Sequence, residues 1–262
     1  MRVAALPRSR LLVTTAASWP AVYGRPAMTD ADDPQIRDER FLLFGAGDWG
    51  TWADDGIKAF CGSGKVLVVA AGQVDDGPVA VERCRAGTAE RFARIGLTVV
   101  DPPILTKADA DNDRAIDLLA NVTAVYVTAG GPRPTVAALH ESRLWRAIVD
   151  LAIPYVGSSG GAMLLGEWYP ESTAFARKCA ALRLFPNTVI APHWNELNEM
   201  RPELQRSILD AARDEVLIGL DRGAGLEGDG QDWLVHGYGA VHVVQQSHAV
   251  TYREGDRFSL PC

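Results

Sequence analysis

Cysteine is scarce in this chain and widely spaced. The four residues Cys61, Cys84, Cys179 and Cys262 form no C-x-x-C pair. That argues against a zinc site and a disulfide scaffold, and it suits a reducing cytoplasm. Long apolar runs are also missing, and none approaches the roughly 20 residues of a membrane span. There is no basic excess: 26 Lys and Arg face 33 Asp and Glu, for a formal charge of −7. The cations are scattered, so neither nucleic acid nor a membrane is an expected partner. No internal repeat and no linker divide residues 40–262.

What remains is an ordinary globular composition, 47% hydrophobic and 23% charged over 262 residues. That is enough for one large α/β domain with a sizeable core. Residues 1–39 carry Arg2, Arg8 and Arg10, then the short apolar stretch Leu11 to Ser18, then a Pro/Gly/Asp-rich segment with Pro20. They read as a poorly ordered extension rather than a signal peptide, with Met28 as a working start.

The folded chain begins at Arg40–Phe44. Lys65–Ala71, Leu97–Val100, Thr123–Thr128 and Ile153–Val156 are apolar runs of strand length. Between them lie helical patterns: Pro78–Ile95, Ala108–Leu119, and one or two helices within Pro134–Leu151. A helix from Thr51 is expected to break at Gly56. Repeated β-α units imply a mainly parallel sheet with helices on both faces, a three-layer α/β/α arrangement. Beyond residue 187 come the strand Asn187–Ala191, the helix Arg201–Ala212 and the strand Glu215–Leu220. The segments Ala224–Glu227, Trp233–His236 and Ala240–Val244 follow. The turns Gly228-Asp-Gly230 and Gly237-Tyr-Gly239 between them predict C-terminal antiparallel hairpins.

The most informative stretch is Gly157-Ser158-Ser159-Gly160-Gly161, between the strand Ile153–Val156 and the apolar run Ala162–Leu165. A G-x-S-x-G between strand and helix is the pattern of a nucleophile elbow. The small residues let a strained turn lift the serine hydroxyl above the sheet, where the Gly160 amide faces a developing oxyanion. A tight reversal built from small residues explains the pentapeptide alone equally well.

Three other segments bear on the choice. Gly45-Ala-Gly-Asp-Trp-Gly50 is formally a G-x-G-x-x-G, with Asp75 and Asp76 roughly where a dinucleotide site would want an acid. A glycine-rich loop passing close to the active edge of the sheet is the preferred reading. Gly130-Gly131-Pro132-Arg133 ends a buried strand. Its glycine amides are candidate oxyanion donors and Arg133 a candidate carboxylate ligand, against the alternative of a plain turn into a helix. Ala191-Pro-His-Trp-Asn-Glu196 places His193 at a strand end, the best position among the five histidines for a base acting on Ser159.

Taken in order, these segments resemble the aspartyl dipeptidase and cyanophycinase family of serine peptidases. The elbow, Ala181-Leu-Arg-Leu-Phe-Pro186 leading to Pro192-His193-Trp194, and Ile218-Gly-Leu-Asp221 before the hairpins carry the likeness, over roughly residues 40–250. The resemblance implies a sandwich like that of class I glutamine amidotransferases. It implies Ser159 as nucleophile, His193 as base, and the amides of Gly160 and of Gly130 or Gly131 as oxyanion donors. It places the orienting acid either between serine and histidine, where this chain offers Glu171, or after the later strand, where it offers Asp221. There, Arg222 stands where the family often has a Glu. The family elbow usually reads Ser-Ala-Gly, and the glycine pair is usually followed by Asn rather than Pro132-Arg133.

The expected activity is hydrolysis of small, Asp-containing peptides through an acyl-enzyme, in the cytoplasm, with no metal or cofactor. A homodimer is left open. Arg222 at the acid position also keeps open a domain of the same fold that binds a ligand without catalysis.

Overall fold

A computed structural model describes residues 13–15, 41–46, 50–171, 177–246 and 248–260. Most of the expected N-terminal extension lies outside them. Val13–Thr15 (β1) pairs in parallel with a C-terminal strand.

The first half alternates as the sequence predicts. Phe41–Phe44 (β2) leads to helix Thr51–Cys61 (α1), then Lys65–Val69 (β3), Pro78–Arg94 (α2) and Thr98–Ile104 (β4). Helices Lys107–Ala110 (α3) and Asp113–Leu119 (α4) precede Ala124–Val127 (β5). Helices Pro132–Leu139 (α5) and Arg143–Asp150 (α6) precede Tyr155–Ser158 (β6), and Gly160–Met163 (α7) follows directly. The strands β2, β3, β5 and β6 are buried along almost their whole length, as their continuous apolar runs require.

Local chemistry departs from the expectations in two places. The α1 helix runs through Gly56, where no neighbouring atom lies within 4 Å of a built Cβ. One glycine costs about 1 kcal/mol, and the buried Ala53 and Ile57 on the core side outweigh it. The expected helix over 108–119 is two helices. Thr106 and Asp109 form a capping box for the first, and the Asn112 side chain accepts from the Arg114 amide to start the second.

The second half adds Trp168–Pro170 (β7), Lys178–Ala180 (β8) and Thr188–Pro192 (β9). Helices Trp194–Met200 (α8) and Pro202–Ala211 (α9) and strand Val216–Leu220 (β10) come next. Gly225–Gly228 (β11), Asp232–His236 (β12), Val241–Gln245 (β13), His248–Tyr252 (β14) and Arg257–Ser259 (β15) complete the chain.

Among the described residues the main sheet runs β15-β12-β11-β2-β6-β5-β3-β4, parallel from β2 to β4. A second sheet runs β1-β14-β13-β10-β9. The C-terminal strands therefore split. The β11–β12 hairpin forms and extends the main sheet beside β2, whereas β13 leaves it and pairs with β10. One hydrophobic cluster spans both sheets, from Phe41, Leu43 and Tyr155 to Ile190, Ile218 and Val243. The fold is thus a mixed α/β sandwich with a mainly parallel central sheet and C-terminal strands. No helix among the described residues is long and apolar enough to cross a membrane.

Candidate active site

The carboxyl ends of β2, β5, β6, β9 and β10 converge, and the candidate residues stand there. Ligands bind at this edge in open α/β sheets.

Ser159 follows β6 directly and N-caps α7 with φ +51° and ψ −111°. A non-glycine residue there is strained by about 1–3 kcal/mol and persists only where the surroundings enforce it. They do so with backbone contacts. A Cβ on Gly160 would lie 2.2 Å from the Gly130 carbonyl oxygen, and one on Gly161 would lie 2.3 Å from that of Val127. The buried Tyr155 hydroxyl donates to the Gly161 carbonyl at 2.6 Å. The α7 helix is thus pressed onto the end of β5, and the serine is raised at the junction.

His193 is held in a matching way at the end of β9. It N-caps α8 in the left-handed region, φ +56° and ψ 33°. Its ring joins two partners. Nδ1 lies 2.6 Å from Glu196 Oε2, and Nε2 lies 2.9 Å from Ser159 Oγ. An ionised carboxylate only accepts, so Nδ1 carries the proton and donates to Glu196. Nε2 then accepts from the serine hydroxyl, the tautomer that a base for Ser159 needs. The outer oxygen of Glu196, Oε1, accepts from Arg222 Nη1 at 2.7 Å.

The loop after β2 ties these two strained residues together through successive carbonyls. Phe44 accepts from the Ser159 amide at 2.9 Å, Gly45 from the His193 amide at 3.0 Å, and Ala46 from the Ser158 hydroxyl at 2.7 Å. Gly45 itself packs against β10, and a Cβ there would lie 2.0 Å from the Asp221 carbonyl oxygen. The first glycine of the G-x-G-x-x-G thus serves close backbone approach. Asp75, a candidate acid of a dinucleotide site, is instead ion-paired to Arg133 at 2.8 Å. Residues 47–49 lie outside the described residues.

Several expected placements are corrected. Glu171 does not reach His193. Its amide bonds the Arg177 carbonyl and its carboxylate pairs with Arg177 at 3.5 Å. Asp221 is spent on its own turn: Oδ2 accepts from the Ala240 amide at 3.0 Å, and Oδ1 lies 3.2 Å from His242 Nε2. The acid against His193 is Glu196, three residues on. Helical spacing of i to i+3 puts both on one face. The sequence reading places a helix over Arg201–Ala212 and none before it, whereas the structure has α8 over Trp194–Met200 ahead of α9. The segment Pro192-His-Trp-Asn-Glu196 held the signal.

Of the two candidate glycine amides, that of Gly131 is committed to the Gly72 carbonyl at 2.8 Å. Gly130, at φ +129°, keeps its amide without an acceptor among the described residues, as does Gly160. The Gln73 side chain fixes this loop by donating to the Ala129 carbonyl. Arg133 points away into its exposed pair with Asp75. Arg133→Ala should therefore change stability by no more than about 0.5 kcal/mol, checked by urea denaturation. It should leave the reactivity of Ser159 toward a fluorophosphonate unaltered.

Beside Ser159 and His193 opens a groove of about 340 Å³. Its walls are largely apolar, with Met163, Leu197, Leu204 and Ile208 among them, and Arg201 lies at its exposed side. Among the remaining nucleophile candidates, Cys61 is buried in the core, and that burial pushes its thiol up to about 12. It is inert at neutral pH.

Comparison with known proteins agrees with this fold. The chain matches the model of peptidase family S51 over residues 70–235. A crystal structure of a peptidase from an acI-B1 Actinobacterium superposes with a TM-score of 0.75 at 21% identity, covering 84% of this chain and 96% of that one. The crystal structure of a putative peptidase E protein from Listeria monocytogenes EGD-e superposes with a TM-score of 0.55 at 17% identity, covering 74% and 96%. No curated protein sequence gives a significant match.

Proposed function

Because this chain belongs to peptidase family S51 and is a serine peptidase, we propose that Ser159, His193 and Glu196 form its catalytic triad and act on small peptides. The observation that carries this reading is the unbroken hydrogen-bonded line from Ser159 Oγ through the His193 ring to Glu196, at 2.9 and 2.6 Å. Its first two members, Ser159 and His193, are both held at positive φ, a strain that persists only where the surrounding structure enforces it.

The chemistry follows from the tautomer. His193 Nε2 takes the proton from Ser159 Oγ as the oxygen attacks the scissile carbonyl. Glu196 stabilises the imidazolium that results. The oxyanion is received by the Gly160 and Gly130 amides, which have no acceptor to abandon among the described residues. His193 then protonates the departing amine as the C–N bond breaks. Water, deprotonated by the same nitrogen, attacks the ester carbonyl, and His193 passes that proton to Ser159 Oγ as the C–Oγ bond breaks.

The groove volume suits a short peptide. Arg201 offers a cation for a substrate carboxylate, either a terminus or the side chain of an Asp-containing peptide. The free thiols of Cys61, Cys84 and Cys179 suit a reducing cytoplasm. Arg222 does not favour a non-catalytic domain once its guanidinium is seen to hold the acid.

Incubation with a fluorophosphonate should add one covalent phosphonyl group, mapped by peptide mass spectrometry to Ser159. A panel of Asp-X and X-Asp dipeptides should then be cleaved. A protein that takes up no label, or takes it at another serine, overturns the triad.

A further inference from the structure

On the proposed triad rests a further step: we infer that Arg222 is a positioning residue that anchors the outer oxygen of Glu196, and so holds the inner oxygen in line with Nδ1–H of His193.

The geometry is a two-point clasp between the β10–β11 turn and the first turn of α8. Arg222 Nη1 donates to Glu196 Oε1 at 2.7 Å, while the Arg222 amide donates to Asn195 Oδ1 at 3.0 Å. Backbone and side chain of one residue thus grip two consecutive residues of the histidine's helix. The turn that presents Arg222 is closed by hydrogen bonds. Asp221 closes it through the Ala224 amide and, by its own carboxylate, the Ala240 amide. Its carbonyl lies against Gly45, whose own carbonyl holds the His193 amide. The Arg222 side chain is 48% exposed and that of Glu196 21%. Solvent screens the charge attraction at such exposure, so a stabilising ion pair is the weaker description of this contact. Its consequence is directional. Arg is a donor at every polar atom and accepts nothing. It therefore demands an acceptor at the outer position of residue 196 and leaves the other oxygen for Nδ1–H.

This asymmetry gives a test with an unusual sign. In Glu196→Gln, Arg222 holds the amide oxygen on its own side. The NH2 then faces His193, Nδ1 must accept, and the proton moves to Nε2, the tautomer that cannot take the serine proton. Removing Arg222 from that variant frees the amide to turn its oxygen back to Nδ1–H.

The measurement is the fluorophosphonate labelling of Ser159, resolved into maximal rate and half-saturating concentration, with thermal melting alongside. Glu196→Gln should slow the maximal rate by roughly 10³-fold. Arg222→Met in the wild-type background should slow it by roughly 5- to 30-fold, with the half-saturating concentration unchanged. Arg222→Lys, which keeps a donor, should lie between Arg222→Met and wild type. The double variant Glu196→Gln/Arg222→Met should label at least about 3-fold faster than Glu196→Gln alone.

A double variant as slow as Glu196→Gln, or slower, overturns the inference. So does an Arg222→Met single variant at the wild-type rate, or one whose loss is matched by Arg222→Lys. If the single Arg222→Met variant melts before the assay temperature, the comparison of Arg222→Lys and Arg222→Gln with wild type decides in its place. Gln retains a donor at lower reach, and equal rates in all three overturn the inference. Failure of the triad itself is separate, since wild-type protein would then not label at Ser159.

Discussion

Ser159→Ala should abolish labelling by a fluorophosphonate and reduce peptide hydrolysis by a factor on the order of 10⁶. The loss is large because, among the described residues, no other nucleophile lines the groove beside His193. Ser158 precedes Ser159 in the chain, but its hydroxyl is buried and donates to the Ala46 carbonyl at 2.7 Å. Cys61 is buried and protonated at neutral pH. The same position predicts an opposite effect on stability. Alanine keeps a Cβ at φ +51° and keeps the strain, whereas glycine relieves it. Ser159→Gly should therefore be equally inactive yet more stable than Ser159→Ala, by roughly 1 kcal/mol after the extra chain entropy of glycine is set against the strain. Urea denaturation of the two variants decides this. An alanine variant as stable as the glycine variant would mean that the elbow stores no strain. Residual labelling of Ser159→Ala would place the nucleophile elsewhere.

Gly45→Ala should damage both fold and site although residue 45 touches no substrate. The added methyl would sit 2.0 Å from the Asp221 carbonyl oxygen and 2.8 Å from that of Leu220. Both are backbone atoms, so no side-chain rotation can make room. The loop after β2 must move away from β10, at a cost of roughly 1–3 kcal/mol. The movement has chemical consequences because the Gly45 carbonyl holds the His193 amide and the preceding Phe44 carbonyl holds that of Ser159. A displacement of about 1 Å in a catalytic group costs on the order of 10²-fold in rate. The labelling rate, measured well below the melting temperature so that unfolding does not contribute, should fall by that order. A variant that loses stability but labels at the wild-type rate would show that these carbonyls support the fold alone.

These two positions mark what can be read from sequence and what cannot. The serine was legible because its constraints are local. A strand, two flanking glycines and a short apolar helix are contiguous, and the strain they relieve belongs to one residue. His193 was legible for a related reason, lying at the end of an apolar run that could only be a buried strand. The parallel sheet followed from the same alternation of apolar runs and helical spacings. The acid was not legible from its neighbourhood. The sequence offers Glu171 and Asp221 for the acid, and Glu196 comes to face His193 only because residues 194–200 are helical. That helix is short and has no side-chain cap bond, so its sequence signal is weak. Packing of its Trp194 against Gly219 of β10 supports it instead, with the indole 2.6 Å from where a Cβ on that glycine would lie.

The amino-acid sequence by itself thus determined the sheet and the elbow and singled out Ser159 and His193 as the proposed nucleophile and base, since each follows from a contiguous pattern of apolar, small and polar residues. Only the tertiary structure decided which carboxylate meets the histidine ring, which glycine amide is left without an acceptor among the described residues, and what Arg222 touches. Those answers depend on groups far apart in the chain, from residue 45 to residue 222, which meet where five strands end. A hydrogen bond between them is a matter of tenths of an ångström that no local pattern encodes.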